Sequence, residues 1–168
     1  MGPVRQVEAP TYQVQVFIAG SPDRCRELLA EYAMRRGPVT IYNCELREEH
    51  PDNARFLRDC EEWFGQEIVT VGNDEYSRST DVVFRETRYL VGPGGARCTA
   101  ELKKAVRWEY GRPDDVVVMG YTRDEQHRVD RLLQSEPLLR MWPILIERNL
   151  DKADCQAFIE RAGIGTEV

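Results

Sequence analysis

Charged and small residues gather at four points of the chain where an apolar run gives way to a polar segment. The first is the turn of residues 19–24, Ala-Gly-Ser-Pro-Asp-Arg, and the second is the acidic segment 45–50. The third is the basic segment 97–103, and the fourth is segment 120–128. Residues of these types can bind an anion, transfer a proton or cap a helix, so each segment has two interpretations.

The turn 19–24 follows an apolar run and precedes an amphipathic stretch. A strand that leads through small residues into a helix N-terminus can bind a phosphate, because free backbone N–H groups face the anion there. The alternative is a plain strand–helix connection, in which Ser21 caps a helix whose first residue is Pro22. Both interpretations remain open from the spacing alone.

Segment 97–103 carries Arg97, Cys98 and Lys103 at the start of a predicted helix. The two cationic side chains could contact a phosphate, or they could form a solvated basic helix face. Cys98 lies next to Arg97 near that helix start, so it is either a reactive thiol or a structural cysteine.

Segment 120–128 follows the most apolar run of the chain. Arg123 or Arg128 could bind a phosphate or sulfate through charge-assisted hydrogen bonds. However, Thr122 and Glu125 have the spacing of a capping box, which would explain Glu125 without any chemistry.

The acidic segment contains Glu45, Glu48, Glu49 and His50. Carboxylates beside a histidine could hold a metal or act as acid and base. The alternative is a solvated loop that leads into the next helix. Because His50 and His127 are the two histidines of the chain, a multi-histidine metal site is excluded, and we predict no metal site.

Short apolar runs alternate with amphipathic stretches along the chain. The predicted strands cover residues 14–18, 39–42, 68–71, 116–119 and 143–146. The predicted helices start near residue 21 and cover residues 51–64, 99–110, 123–134 and 151–162, with a further short helix near 81–89 and a turn at 92–95. This alternation predicts an α/β fold with an open, mainly parallel five-stranded sheet and helices on both faces.

The composition indicates one globular domain over residues 1–168, with 1–11 as a flexible N-terminal segment. The chain is 42% hydrophobic and 31% charged, and its net charge of −6 argues against sequence-independent nucleic-acid binding. No apolar run is long enough to span a bilayer and the N-terminus has no secretory signal, so we expect a cytoplasmic protein without membrane contact. Five cysteines without a C-x-x-C pair predict neither a zinc site nor an iron–sulfur cluster.

The four segments occur together with further motifs in a specific order. They are Glu-His-Pro-Asp-Asn-x-x-Phe-Leu at 49–57, Gly-Ala-Arg-Cys-Thr-x-x-Leu-Lys at 95–103, Val-x-Gly-Tyr-x-x-x-Glu-x-x-Arg at 118–128, and Trp-Pro-Ile at 142–144. In this order the chain resembles the phosphoadenosine-phosphosulfate (PAPS) reductase-like branch of the PP-loop, adenine nucleotide alpha hydrolase-like proteins, over about residues 12–163.

The resemblance implies a Rossmann-like fold of the HUP type with an adenine-nucleotide pocket for ATP, AMP or PAPS. If the protein is catalytic, Mg²⁺ would accompany the nucleotide. Matched to the family's motifs, the nucleotide-binding residues would be Gly20, Ser21, Asp23, Arg24, Cys98, Lys103, Gly120, Glu125 and Arg128.

Two departures from the family pattern limit the chemistry that the resemblance implies. The family's phosphate-loop lysine falls on Pro22, which has neither a charge nor a backbone N–H. Arg24 is the candidate to replace that charge. No cysteine follows Cys155 in the sequence, whereas sulfonucleotide reductases use a C-terminal cysteine. We therefore expect weak or absent PP-loop catalysis and no thiol-dependent reductase activity.

Three functions follow from these observations. The first is a nucleotide-binding relative with little or no PP-loop catalysis. The second is an active nucleotide-dependent transferase or hydrolase that performs adenylation, nucleotide hydrolysis or sulfur transfer with a partner. The third is an interaction protein of a phage or mobile element that uses the fold as a scaffold. A protein partner or a homodimer is compatible with each of them.

Overall fold

The computed structural model describes residues 12–16, 38–93 and 95–164, and of residues 12–16 it describes the backbone alone. The predicted N-terminal segment 1–11 lies outside these residues. So do the turn 19–24 and the helix predicted to follow it.

The strands of the described chain are short and mostly parallel. They are β1 (Tyr12–Val16), β2 (Val39–Cys44), β3 (Ile68–Val71), β4 (Val91–Gly92), β5 (Gly95–Ala96), β6 (Val116–Val118) and β7 (Met141–Trp142). One sheet has the order β3-β2-β1-β6-β7, and every adjacent pair in it is parallel. The prediction of an α/β fold with parallel strands is confirmed. β4 and β5 form a separate antiparallel hairpin at the predicted turn.

Helices separate most of these strands. They are α1 (Asn53–Phe64), α2 (Thr80–Thr87), α3 (residues 97–110), α4 (Gln126–Ser135), α5 (Ile144–Glu147) and α6 (Lys152–Arg161). One stretch of α3, Ala100–Lys104, is a π-helix. A 3₁₀ turn, Arg123–Glu125, leads into α4.

Side-chain caps fix the start of two helices. The Asp151 carboxylate accepts a hydrogen bond from the Asp154 amide at 2.9 Å. In turn, the Asp154 carboxylate accepts one from the Asp151 amide at 3.0 Å. The Ser79 hydroxyl accepts from the Val82 amide at 3.3 Å and begins α2. These caps satisfy donors that the first turn of a helix leaves without partners.

The main core covers one face of the sheet. Ile41 of β2 and Val118 of β6 are fully buried against residues from α1, α5 and α6. The buried members of this core are Ile41, Phe56, Cys60, Phe64, Ile68, Val118, Ile144, Leu145, Cys155, Ile159 and Ile164. Cys60 and Cys155, which stand at apolar helical positions of the sequence, are buried in this core, whereas Cys25 lies outside the described residues.

The opposite face of the sheet carries α3 and α4. Successive residues of a strand point to opposite faces, so Cys44 and Val117 lie on the side away from the main core. Cys44 packs with Val106 of α3, and Val117 packs with Leu132 of α4. Helices therefore cover both faces, as the uninterrupted apolar run of β6 indicates.

The strand predicted at 143–146 was wrong. Met141 and Trp142 form the strand, paired with Val117 and Val118, and α5 begins directly after Pro143. A short apolar run cannot be assigned to a strand or a buried helix by periodicity alone. Here the run forms a single helical turn, which buries two adjacent side chains of that run in the main core.

The packing of the main core predicts how substitutions change the free energy of unfolding. Ile159 of α6 is fully buried, so Ile159→Ala should lower the free energy of unfolding by about 2–5 kcal/mol in urea denaturation. The control is Leu138→Ala, at a side chain that is 89% exposed, where a change within about 0.5 kcal/mol is expected. Equal effects of the two substitutions would contradict this packing.

Candidate functional site

The carboxyl ends of the parallel strands form the edge of the sheet where ligands bind in open α/β folds. β1 pairs with β2 on one side and with β6 on the other. The segments that follow β2 and β6 therefore flank the end of β1. The predicted turn of Gly20, Ser21, Asp23 and Arg24 lies outside the described residues, so its role stays a prediction.

The segment after β6 contains three of the predicted site residues, Gly120, Glu125 and Arg128. The carboxylate of Glu125 accepts from the Thr122 amide at 3.2 Å and from the Thr122 hydroxyl at 3.3 Å. Thr122 is 1% exposed, and the two residues form a capping box. The capping interpretation of Glu125 is thus confirmed, and Glu125 positions the start of α4.

Arg128 lies in the first turn of α4 and contacts two neighbouring side chains. Its guanidinium pairs with Glu125 and lies over the ring of Tyr121, 5.1 Å from the ring centre. About half of the Arg128 side chain stays exposed, at 54%. A guanidinium has several N–H donors, so these contacts orient Arg128 without using its whole capacity to bind an anion.

Arg123, the other cation considered in this segment, has a structural role. It pairs with Asp151 at 2.5 Å, and its guanidinium lies 3.5 Å from the carbonyl oxygen of Asn149. These contacts join the start of α4 to the cap of α6. Of the two arginines, Arg128 has the more exposed side chain, at 54% against 42% for Arg123, so it is the stronger candidate to bind a ligand.

The other predicted residues lie on α3. Lys103 belongs to the π-helical stretch. Burial raises the pKa of both Cys44 and Glu49, and the charge of the nearby Lys103 partly offsets that rise. Cys98, in the first turn of α3, is a partly exposed free cysteine, and its neighbour Arg97 pairs with Glu101 at 2.7 Å. π-Helical turns are rare in proteins as a whole, but those that occur are often found at functional sites. No residue pattern in segment 97–103 predicts this π-helical turn.

The acidic segment after β2 is mostly occupied with structural contacts. Glu45 pairs with Arg78 at 2.5 Å, and Glu48 accepts from the Thr80 amide at 3.0 Å at the start of α2. His50 accepts from the amide of Asp52 at 3.2 Å through Nδ1. Within residues 38–93 and 95–164, no three histidine, cysteine or acidic side chains group as a metal site would require.

Glu49 is the exception in this segment. Burial raises the pKa of its carboxyl to about 7, although a hydrogen bond from Asn53 and the charge of Lys103 both act to lower it. A carboxyl that titrates near neutrality beside a lysine, at the ligand-binding edge, can act as an acid or a base. The sequence placed Glu49 in an acidic run but could not single it out.

The loop after β3 reaches the same edge of the sheet in a strained conformation. Ser77 and Arg78 both have left-handed backbones, with φ of 51° and 54°. The Arg78 side chain crosses directly over Gly72, where an added Cβ would lie 2.7 Å from its Cδ. Gly72 therefore allows Arg78 to reach Glu45 and tie the post-β2 and post-β3 loops together.

Nothing in the described helices indicates a membrane-spanning segment. None of those in residues 38–93 and 95–164 combines the length and apolar character that crossing a bilayer needs.

The raised pKa of Glu49 predicts a pH effect on stability. The folded state favours the protonated carboxyl, so the stabilisation is present below the ordinary pKa near 4.5 and is lost as the pH rises through about 7. From pH 5 to pH 8, the Tm of the native protein should fall relative to that of Glu49→Gln. Glu62→Gln, at an exposed position of α1, is the control and should follow the native curve. Parallel curves for the native protein and Glu49→Gln would contradict the assignment.

Comparisons with known proteins assign no family to the chain. No family model matches it, and no curated protein is similar to it.

Proposed function

We propose that this protein is a PAPS reductase-like adenine-nucleotide-binding protein with a Rossmann-like fold of the HUP type and weak or absent PP-loop catalysis. The order of the parallel strands carries this proposal. Numbered by their sequence among the five, they lie in the order 3-2-1-4-5. That order reverses direction beside β1, and such a switch point is where open α/β sheets bind nucleotides.

Cationic side chains on both sides of the switch point support a phosphate-containing ligand. Lys103 lies near Cys44, the last residue of β2, while Arg128 lies over the ring of Tyr121, which follows β6. Gly120 lies two residues before the Thr122 cap, and because it has no Cβ it would allow close approach of a ligand to the backbone. The pocket would lie between these two groups.

The cysteines support a function other than thiol-dependent reduction. Cys60 and Cys155 are fully buried in the main core, and burial raises the pKa of Cys44 to about 12. A thiolate is the reactive form, so these thiols are unsuited to attack on a sulfonucleotide. Among the described cysteines, Cys98 alone is partly exposed.

Calorimetry with ATP, AMP and PAPS tests the proposal. We expect binding of at least one of them, and Lys103→Ala and Arg128→Ala should each weaken it at least about tenfold, because each removes a charge-assisted contact. Arg140→Ala is the charge-matched control. Arg140 lies at the opposite end of the strands, where it donates to the Asp114 carbonyl at 2.8 Å, and its removal should leave affinity unchanged. Absence of binding by all three nucleotides at millimolar concentration would overturn the proposal.

Glu49 favours an active nucleotide-dependent transferase or hydrolase as a second candidate. A carboxyl with a pKa of about 7 could accept a proton from a nucleophile at neutral pH. Release of AMP or pyrophosphate should then rise with pH around 7, and Glu49→Gln should reduce the rate about 100-fold or more. Glu62→Gln should retain the full rate. A lack of turnover, with nucleotide binding intact, would leave the binding protein as the function.

A further inference from the structure

Asn43 is a buried polar residue whose side-chain oxygen has no hydrogen-bond partner among the described residues. It is 1% exposed, and its Oδ1 accepts no hydrogen bond there. Leaving such a group without a partner is costly, and native structures usually avoid it. Neither the capping contacts nor the core packing of the neighbouring segments explains why an asparagine stands here.

The position of Asn43 places it at the proposed pocket. It is the fifth of the six residues of β2, and it lies opposite Val16, the last residue of β1. Its other strand neighbour is Thr70 of β3. The residue therefore lies at the carboxyl end of the strand that adjoins the switch point, close in sequence to Glu49.

The side chain lies on a different face of the sheet from the thiol of Cys44. Because side chains alternate along a strand, Asn43 shares the face of Ile41, whereas Cys44 packs with Val106 of α3. Lys103, which belongs to α3, lies near Cys44 on this second face. A ligand that spans the edge would thus meet cations on one side and a neutral acceptor on the other.

We propose that the carboxamide oxygen of Asn43 accepts a hydrogen bond from the nucleoside part of the bound ligand. This inference rests on the function proposed above. An oxygen acceptor is repelled by the oxygens of a phosphate but matches an N–H or O–H donor. The donors of an adenine nucleoside are the exocyclic amine of the base and the hydroxyls of the ribose, and the test below distinguishes them.

If Asn43 serves a ligand and destabilises the ligand-free protein, replacing it should change both the stability and the affinity. Asn43→Leu removes the buried acceptor with little change in volume. The Tm of the ligand-free protein should therefore rise by about 2–4 °C, and the affinity for AMP should fall about tenfold. Thr40→Val, a similar change nearer the start of β2, is the matched control and should leave the affinity for AMP unchanged. A fall in Tm with unchanged affinity would show a structural role for Asn43 and overturn the proposal.

Ligand analogues test the same contact without depending on a variant. The native protein should bind one of IMP, 2′-deoxy-AMP and 3′-deoxy-AMP about tenfold more weakly than AMP, and that analogue identifies the missing donor. Asn43→Leu should bind this analogue and AMP equally, because the contact is already lost. Equal binding of all four nucleotides by the native protein would overturn the role of Asn43 while leaving the proposed function standing. Binding of none would overturn both.

Discussion

The parallel pairing of β1 with both β2 and β6 decides which segments of the chain lie side by side. In the sheet, β2 and β3 lie on one side of β1, and β6 and β7 lie on the other. The segments after β2 and β6, distant in sequence, therefore come to the same edge. Glu49 and Arg128 share this edge because of strand order, without any direct contact between them.

The polar groups at this edge differ in how many of their hydrogen bonds and ion pairs the protein itself provides. Glu125 caps α4 and orients Arg128, and Arg78 ties two loops together through Glu45. Glu49 remains partly desolvated with a raised pKa, and the oxygen of Asn43 lacks a partner among the described residues. Groups that are costly in the free protein are the ones that a ligand can most improve. Natural proteins accept such local costs at functional sites.

Local signals predicted those parts of the fold that depend on local chemistry. The capping box at Thr122 follows from residue type and spacing, and the short helix predicted near 81–89 lies within two residues of α2 at each end. β7 and α5 were misplaced because an apolar run beside Pro143 fits a buried helical turn as well as a strand. Which of the two forms depends on packing against residues far away in the sequence.

The site was predicted in part for the same reason. Lys103, Gly120 and Arg128 were predicted through the family resemblance, and their binding of a nucleotide stays a prediction. The π-helical turn, the burial of Glu49 and the lone oxygen of Asn43 had no sequence signal. Each arises from tertiary packing, because burial and missing partners depend on what surrounds a residue in three dimensions.

Titration of the ¹⁵N-labelled protein with AMP, followed by amide chemical shifts, tests the location of the site most directly. The amides of Asn43, Lys103 and Gly120 should shift together and saturate at one ligand concentration. Arg112 and Asp115, at the opposite edge of the sheet, should stay unchanged. Shifts confined to that opposite edge, or none at millimolar AMP, would contradict a nucleotide site at the carboxyl ends of the strands.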